Sequence, residues 1–375
     1  MTPTDWKEFR RDLHRHPELS RKEKRTHQKI EDKLRSFRPD ELITVAKTGL
    51  IAIFKGKEEG DRIMLRTDMD ALPIQEVNTF DHRSQKDGVS HKCGHDGHAT
   101  IMLAVAEWLS ENRPEKGEVW LLFQPAEEIG WGAAAVLAEE VFRKVEIDHV
   151  FALHNIPGAP MHQLIVKDGA FTPSVTSPLL FFKGRTSHAA EPEKGNNPAE
   201  AIAQTLEQSL SLALNDPTSE NMVVVTPVYM QMGEKAYGTS AGEGELHLTV
   251  RTWSNELLQD ACAKIEKVAK EKAEDHKLGL EIRYTESFAG NENDPVSVEK
   301  VRTTARILGL DLYEKPEPFK WGEDFGLFTQ RFRGCMFGLG SGRDTPALHN
   351  PDYDFPDELI PTGRDLFKTL IQQCL

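Results

Sequence analysis

Apolar and polar residues follow one clear rhythm over the first 174 residues. Short apolar runs alternate with stretches in which apolar residues recur every three or four positions. The apolar runs are GLIAIFKG, RIMLRTD, EVWLLFQP and HVFALHN. The helical patterns are those of Trp6, Phe9 and Leu13, of about Glu18 to Phe37, of TIMLAVAEWLSEN and of GAAAVLAEEVF. This alternation predicts an α/β fold in which helices flank a mostly parallel sheet.

The rhythm changes between residues 175 and 289. Patterns there follow the order strand, helix, strand, strand, helix, strand, which is that of a ferredoxin-like βαββαβ unit. From residue 290 a helix, the strand-like GCMFGLG and a last helix return to the first pattern. The sequence therefore predicts a large domain formed by residues 1–174 and 290–375, with a small domain, residues 175–289, inserted into it.

The amino-acid composition indicates which kinds of molecule the protein binds. The formal net charge is −14, which disfavours nucleic acid and anionic membrane surfaces. No stretch approaches 18 apolar residues, and the N-terminal residues are charged from the start, unlike a signal peptide. The cysteines Cys93, Cys262, Cys335 and Cys374 form no disulfide framework. We expect a cytoplasmic protein that acts on a small molecule.

The segment HKCGHDGHAT, His91 to Thr100, carries the first candidate chemistry. A single buried histidine is more often structural than a metal ligand, but clustering changes that balance. Cys93 and His95 are two apart in what the pattern indicates is an extended segment, so both side chains would point to one side. A thiolate beside an imidazole suits a borderline-soft divalent metal. The segment alone leaves open whether the site is structural or catalytic.

Other acidic and histidine residues follow strand-like runs. They are Asp68 and Asp70 in LRTDMDALP, Glu127 and Glu128 in WLLFQPAEE, His154 in VFALHN and His349 in TPALHNPDYDF. Ligand sites of α/β sheets lie beyond the carboxyl ends of the strands, where these groups would meet. Glu127 and Glu128 could instead be a solvated acidic pair, yet they follow an apolar strand. Adjacent carboxylates also allow one to bind metal and the other to take a proton from the metal-bound water.

Seven motifs together identify a family. They are LHRHPELS, LRTDMDALP, HKCGHDGHATIML, FQPAEE, ALHN, SHAAEP and LHNPDYDFPDELIPTG. In this order the chain resembles the amidohydrolase branch of the aminoacylase and carboxypeptidase-G-like metallopeptidase family, over nearly its whole length. It is similar to N-acyl-amino-acid hydrolases, such as those acting on hippurate or N-acetyldiaminopimelate. The resemblance implies a dinuclear, zinc-peptidase-like catalytic domain with an inserted lid and dimerisation domain.

The resemblance also implies a role for individual residues. It assigns two divalent ions per subunit, Mn or Zn, to Cys93, His95, Glu128, His154 and His349. Glu127 would be the general base, and Asp70 would orient a metal ligand. His188, in TSHAAEP, would reach the partner's site in a homodimer formed through the inserted domain and stabilise the oxyanion. Asp68 stands where related peptidases have a metal-binding histidine, so its role stays open. His14, His16, His91 and His98 match no ligand position and are interpreted as structural.

The predicted reaction is metal-dependent hydrolysis of the amide bond of N-acyl amino acids. Arg251, in LTVRTW, offers a planar two-donor fork for the substrate carboxylate, although it could equally be an ordinary ion-paired arginine. Gly238 and Trp321 replace the asparagine and the glycine that are usual in this branch. These departures leave the acyl group and the amino acid undetermined.

Two other functions remain open at this stage. A dipeptidase or aminopeptidase on the same scaffold would need a group that binds a free α-amine, and none is evident in the sequence. A non-enzymatic metal-binding or interaction protein would have no use for a base such as Glu127, which is present.

Overall fold

A computed structural model gives the structure of residues 2–375, without the side chains of residues 3 and 4. The described chain forms two compact units. The first runs from the N-terminus to Phe171 and takes in Asn291–Pro316 and Glu323–Leu375; the second is Thr172–Gly290 with Glu317–Gly322.

The first unit has helices on a mixed sheet. Its helices are α1 (Pro3–Arg15), α2 (Lys24–Ser36), α3 (His95–Glu111) and α4 (Gly132–Leu137), and later α7 (Pro295–Leu308), α8 (Gly326–Thr329) and α9 (Leu359–Cys374). Its strands are β1 (Glu41–Val45), β2 (Gly49–Lys55), β3 (Glu58–Asp68), β4 (Lys116–Gln124), β5 (His149–Ile156), β6 (Leu164–Val166), β7 (Gly169–Thr172), β14 (Asn291–Asn293), β15 (Leu312–Glu314) and β16 (Gly334–Gly340).

The central sheet of this unit has the strand order β1-β2-β4-β3-β5-β16-β6-β15 within the described residues. Strands β4, β3, β5 and β16 run parallel to one another, whereas β1 and β2 add on antiparallel at one side. Strand β5 is buried along its whole length, as expected for a strand covered by helices on both faces. The predicted α/β fold class is confirmed.

Helices α3 and α9 provide much of the apolar cover of this sheet. Met102 on α3 and Leu366 on α9 belong to the same buried cluster as Leu65, Phe123 and Phe337 from the strands. Burying a side chain of this size is worth about 1.5–3 kcal/mol. The helix that starts at His95 is therefore fixed by its own apolar face.

Some boundaries differ from the sequence prediction. The second helix begins at Lys24 and not near Glu18, because the main chain of Glu18 and Leu19 pairs with Ala71 instead. The prediction that Cys93 and His95 share an extended segment is wrong. Gly94, between them, has a left-handed φ of 98°, and the helix starts directly after it.

A buried arginine ties the ends of the first unit together. Arg10 on α1 is fully buried and contacts Asp96 at 3.2 Å, Asp354 at 2.6 Å and Asp357 at 2.8 Å. His14, one turn further on, lies 2.9 Å from the same Asp96. Helix α1 is thereby bound both to the start of α3 and to the segment that leads into α9.

The second unit is a smaller α/β layer structure. Its strands are β8 (Ser174–Lys183), β9 (Ser187–His188), β10 (Val223–Met232), β11 (Thr239–Ser240), β12 (Glu243–Thr252) and β13 (Gly279–Phe288), and its helices are α5 (Ala199–Leu210) and α6 (Asn255–Asp275). The main sheet is antiparallel, with the order β10-β12-β8-β13. Leu180, Leu246 and Leu248 pack with Ile202 and Ile265 of the helices, so alternate strand positions form the core.

Among the described residues, no helix combines the length and the apolar character needed to cross a membrane.

The contact between Gly97 and Phe355 gives a test of how α3 is held. A Cβ atom at Gly97 would lie 2.4 Å from the buried Phe355 ring, so Gly97→Ala should lower the free energy of unfolding by about 1–3 kcal/mol through overpacking. Gly238→Ala is the matched control, because a Cβ there meets nothing within 4 Å. Denaturant unfolding of the metal-free protein measures both. Equal midpoints for the two variants would contradict the tight contact.

Candidate metal centre

The predicted donor residues of the first unit come together at one edge of its sheet. Strand β3 ends at Asp68, strand β4 is followed by Glu127 and Glu128, and His154 lies near the end of β5. These strands are parallel, so their carboxyl ends meet at the same edge. Helix α3 begins there with His95. The left-handed Gly94 directs the chain into the helix and packs closely, because a Cβ on it would lie 2.5 Å from Asn155 Oδ1.

A first group of donor atoms consists of a thiol and two imidazoles. Cys93 Sγ lies 3.6 Å from His154 Nε2. The Nδ1–H of His154 donates to the carbonyl oxygen of Asn155 at 2.9 Å, which directs Nε2 towards the cysteine. One ligand atom each from Cys93, His95 and His154 lie within 4.8 Å of one another.

His95 faces carboxylates on both sides of its ring. Its Nδ1 contacts the carbonyl oxygen of Asp70 at 3.1 Å and Asp70 Oδ1 at 3.3 Å. Both partners are acceptors, so Nδ1 carries a proton. Its Nε2 lies 3.9 Å from Glu127 Oε2 and 3.8 Å from Glu128 Oε1. Asp70 therefore fixes the ring so that Nε2 points at the pair of glutamates.

A second group of donor atoms forms around Glu128. His349 Nε2 lies 3.5 Å from Glu128 Oε2, and both residues lie within 4.8 Å of the Cys93 sulfur. His349 has a left-handed φ of 65°, and its main-chain N–H donates to the carbonyl oxygen of Lys92 at 2.7 Å. The two groups overlap at Cys93.

Arg66, Glu323, Asp324 and His98 also belong to this region, and the sequence prediction did not include them as functional residues. The guanidinium of Arg66 is buried and donates to Asp68 Oδ2 at 2.8 Å, and to Glu323 Oε1 and Asp324 Oδ1 at 2.9 Å each. His98 Nδ1 lies 2.8 Å from Asp68 Oδ1. The arginine within the apolar run RIMLRTD could have predicted this cluster. A charged residue in a buried strand needs partners of opposite charge, since charged residues are seldom buried alone.

The crowded carboxylates perturb one another. Burial, together with the charges of Glu323 and Glu128, raises the pKa of Glu127 well above its usual value. Burial and the aspartates Asp70 and Asp68 raise the pKa of Glu128 to about 8, against the opposing effect of His95. Burial alone would lower the pKa of His95, but the surrounding carboxylates, Asp68 foremost, raise it to about 10. If all of its carboxyl groups were ionised, the region would therefore carry more negative charge than its own cations balance.

These residues fit a metal ion. Among the described residues, the buried atoms His95 Nε2 and Glu128 Oε1 have no hydrogen-bond partner, although such atoms are nearly always satisfied in folded proteins. Both belong to the donor groups described above. Thiolate, imidazole and carboxylate are the ligands that zinc and neighbouring divalent ions bind. A divalent cation would satisfy these atoms and offset the excess negative charge.

The remaining predicted residues lie in the second unit. His188 is exposed, and its Nδ1 accepts the main-chain N–H of Ala190 at 3.1 Å, so a neutral ring carries its proton on Nε2. Arg251 is half-buried at the end of β12, and its Nη1 donates to the carbonyl oxygen of Lys320 at 2.9 Å. Gly238 borders open space, and Trp321 packs against Phe319 with 5.1 Å between the ring centres.

Comparison with known proteins places the chain in a family. Residues 64–373 match the model of peptidase family M20/M25/M40. The N-acetylcysteine deacetylase of Bacillus subtilis (strain 168) is 32% identical over 364 residues, covering 96% of this chain and 94% of that protein. The hippurate hydrolase of Campylobacter jejuni is 29% identical over 368 residues, covering 98% and 95%.

A solved structure agrees with these relatives. The crystal structure of a Bacillus subtilis protein, named as a dinuclear metal binding peptidase from the M20 family, has a TM-score of 0.83 and 31% sequence identity. The comparison covers 100% of this chain and 99% of that one. The resemblance found in the sequence motifs is confirmed: the chain belongs to peptidase family M20/M25/M40.

Proposed function

We propose that the protein hydrolyses the amide bond of N-acyl amino acids, with two divalent metal ions bound in the first unit. The observation that carries this proposal is the position of Glu127, a buried carboxylate in the same group of donor atoms as His95 and Glu128. Relatives that are named as a deacetylase and a hippurate hydrolase support amide hydrolysis. A non-enzymatic metal-binding protein has no comparable support.

The overlapping donor groups support two adjacent ions. One ion would be held by Cys93, His95 and His154, and the other by Cys93, Glu128 and His349. Zinc suits this thiolate and imidazole set, and manganese is the alternative. When bound, such ions polarise an amide carbonyl and lower the pKa of water.

The chain's own residues would then move the protons. Glu127 takes a proton from the attacking water as the new C–O bond forms, and delivers it to the nitrogen as the C–N bond breaks. The products are a carboxylic acid and a free amino acid. Asp70 holds the Nδ1 side of His95, so the imidazole keeps its orientation throughout.

In this proposal the second unit contributes a donor for the oxyanion and the contact between subunits. We propose that it is the lid and dimerisation domain, and that His188 donates its Nε2–H to the oxyanion in the partner subunit. Strand β10 lies at the sheet edge and exposes Val228, Tyr229 and Met230, which supports a homodimer through this unit. The free cysteines agree with the cytoplasmic location that we also propose.

The proposed function is tested by a substrate panel under metal control. After chelation the protein should hydrolyse nothing, and added Mn²⁺ or Zn²⁺ should restore hydrolysis of N-acetyl and N-benzoyl amino acids. Dipeptides with a free α-amine serve as the comparison. Release of the free amino acid is the measurement. Faster turnover of dipeptides than of all N-acyl amino acids would contradict the proposal.

Glu127→Gln should keep the shape of the site and lose turnover. Loss of a general base costs about 10²–10⁴ in rate, while the metal content should stay at the wild-type level. Glu128→Gln is the contrasting variant, because it removes a ligand and should lower the metal bound per subunit. Steady-state kinetics and elemental analysis separate the two effects. Near-normal kcat of metal-loaded Glu127→Gln would exclude its role as the base.

Arg251 gives a test of substrate recognition. If its guanidinium binds the substrate carboxylate, Arg251→Ala should impair hydrolysis of N-acyl amino acids far more than that of the matching N-acyl amines. Arg251→Lys should recover only part of the loss. Arg283→Ala, on strand β13 of the same unit, is a control, because this arginine is exposed and pairs with Glu281. Equal losses of activity on N-acyl amino acids and N-acyl amines would contradict substrate binding by Arg251. Its role would then be the hydrogen bond to the carbonyl oxygen of Lys320 alone.

A further inference from the structure

Glu23 is a buried carboxylate to which the proposed reaction gives no role. It is 0% exposed and directly precedes helix α2, yet its side chain does not cap that helix. Its Oε1 accepts the main-chain N–H groups of Arg21 at 2.8 Å and of Ala126 at 2.9 Å, and its Oε2 accepts the hydroxyl of Thr48 at 2.9 Å. One side chain thus links segments that are far apart in the sequence.

Both main-chain partners of Glu23 Oε1 have left-handed backbone. The φ angles are 65° at Arg21 and 54° at Ala126, in a region that side chains other than glycine disfavour. Such conformations persist where surrounding contacts hold them. The shared oxygen of Glu23 provides that contact for both residues.

The turn at Ala126 leads directly into Glu127. Strand β4 ends at Gln124, and the carbonyl oxygen of Ala126 accepts the N–H of Gly132 at 3.0 Å. A Cβ at Gly132 would lie 1.8 Å from the carbonyl oxygen of Pro125. Gly132, at the end of this turn, therefore packs directly against Pro125, at its start. The direction of the chain at Glu127 therefore depends on the conformation of Ala126.

A second carboxylate binds the chain on the other side of Glu127. Asp70 Oδ2 accepts the main-chain N–H of Glu128 at 3.1 Å and the hydroxyl of Ser20 at 2.7 Å. The residues before and after Glu127 are thus each held through their N–H by a buried carboxylate. Asp70 contacts Ser20 and Glu23 contacts Arg21, so both carboxylates also bind the segment just before helix α2.

We propose that Glu23 is a positioning residue for Glu127, because it holds the left-handed turn at Ala126 and so sets the direction of the Glu127 side chain. This inference rests on the proposed function, which gives Glu127 the proton transfer. The oxygens of Glu23 are used by the N–H and hydroxyl donors described above, so it acts through the turn.

The test compares Glu23→Ala with Glu23→Gln in the metal-loaded enzyme. Displacement of a reacting group by about 1 Å costs up to about 10²-fold in rate, so Glu23→Ala should lower kcat by about 10- to 100-fold. KM for an N-acyl amino acid and metal bound per subunit should stay near wild type. Glu23→Gln should recover most of kcat, because its amide oxygen accepts the same two N–H groups.

Asn293→Ala controls for a general loss of stability. Asn293 is 1% exposed, and its Oδ1 accepts the main-chain N–H of Met336, near the start of strand β16. This variant should lower the thermal midpoint and leave kcat unchanged. Wild-type kcat in Glu23→Ala would overturn the proposal, and so would a Glu23→Gln enzyme as slow as Glu23→Ala.

Hydrogen exchange tests the turn independently of any substrate. The amide of Ala126 should exchange faster in Glu23→Ala than in wild type, and near the wild-type rate in Glu23→Gln. Suppose that the wild-type enzyme hydrolyses no N-acyl amino acid, while the Ala126 amide exchanges faster in Glu23→Ala. The proposed function is then wrong, but the result still supports the role of Glu23 in fixing the turn at Ala126. An unchanged amide would overturn the positioning role for any substrate.

Discussion

The candidate metal centre depends on the buried guanidinium of Arg66. It binds Asp68, Glu323 and Asp324 at once, in a place where water cannot solvate these carboxylates. Removing one partner of a buried ion pair costs about 3–5 kcal/mol, because the other charge stays buried without compensation. A neutral side chain at this position would therefore destabilise the strand end that carries Asp68, and with it the whole edge of the sheet.

Arg66 does not balance all the charge. Glu127 and Glu128 lie beyond its direct contacts, and burial together with neighbouring carboxylates raises the pKa of both, Glu323 acting on Glu127 and Asp70 on Glu128. Ionised Glu127 and Glu128 are thus unfavourable in the metal-free site, and a bound cation would stabilise them and, with them, the folded state. Protonation of the glutamates competes with the cation, so affinity for metal should fall as the pH falls.

The sequence predicted the central sheet well, because its strands follow from local patterns, and the residues proposed as metal donors lie close together in the structure. Apolar runs such as HVFALHN become buried parallel strands, and motif spacing brings His154 and Glu128 to one edge. The conformation around Cys93 was not predicted, since it depends on a left-handed Gly94 that packs near Asn155. The contact of Glu23 with Ala126 joins residues 103 apart, and no local pattern contains such information.

The buried contacts of Arg10 have a consequence for the order of assembly. Arg10 joins α1 to Asp357, 347 positions later in the chain, and the donor His349 also lies in that last segment. Pairing of such distant segments is slow, and it can begin only after Asp357 has been synthesised. Helix α1 can contact Asp96 early, but its buried contacts with Asp354 and Asp357 form only after the segment that leads into α9 has been made. We therefore expect a nascent chain to lack the donor His349 until the segment after strand β16 has been made, so that both donor groups are complete only after that point.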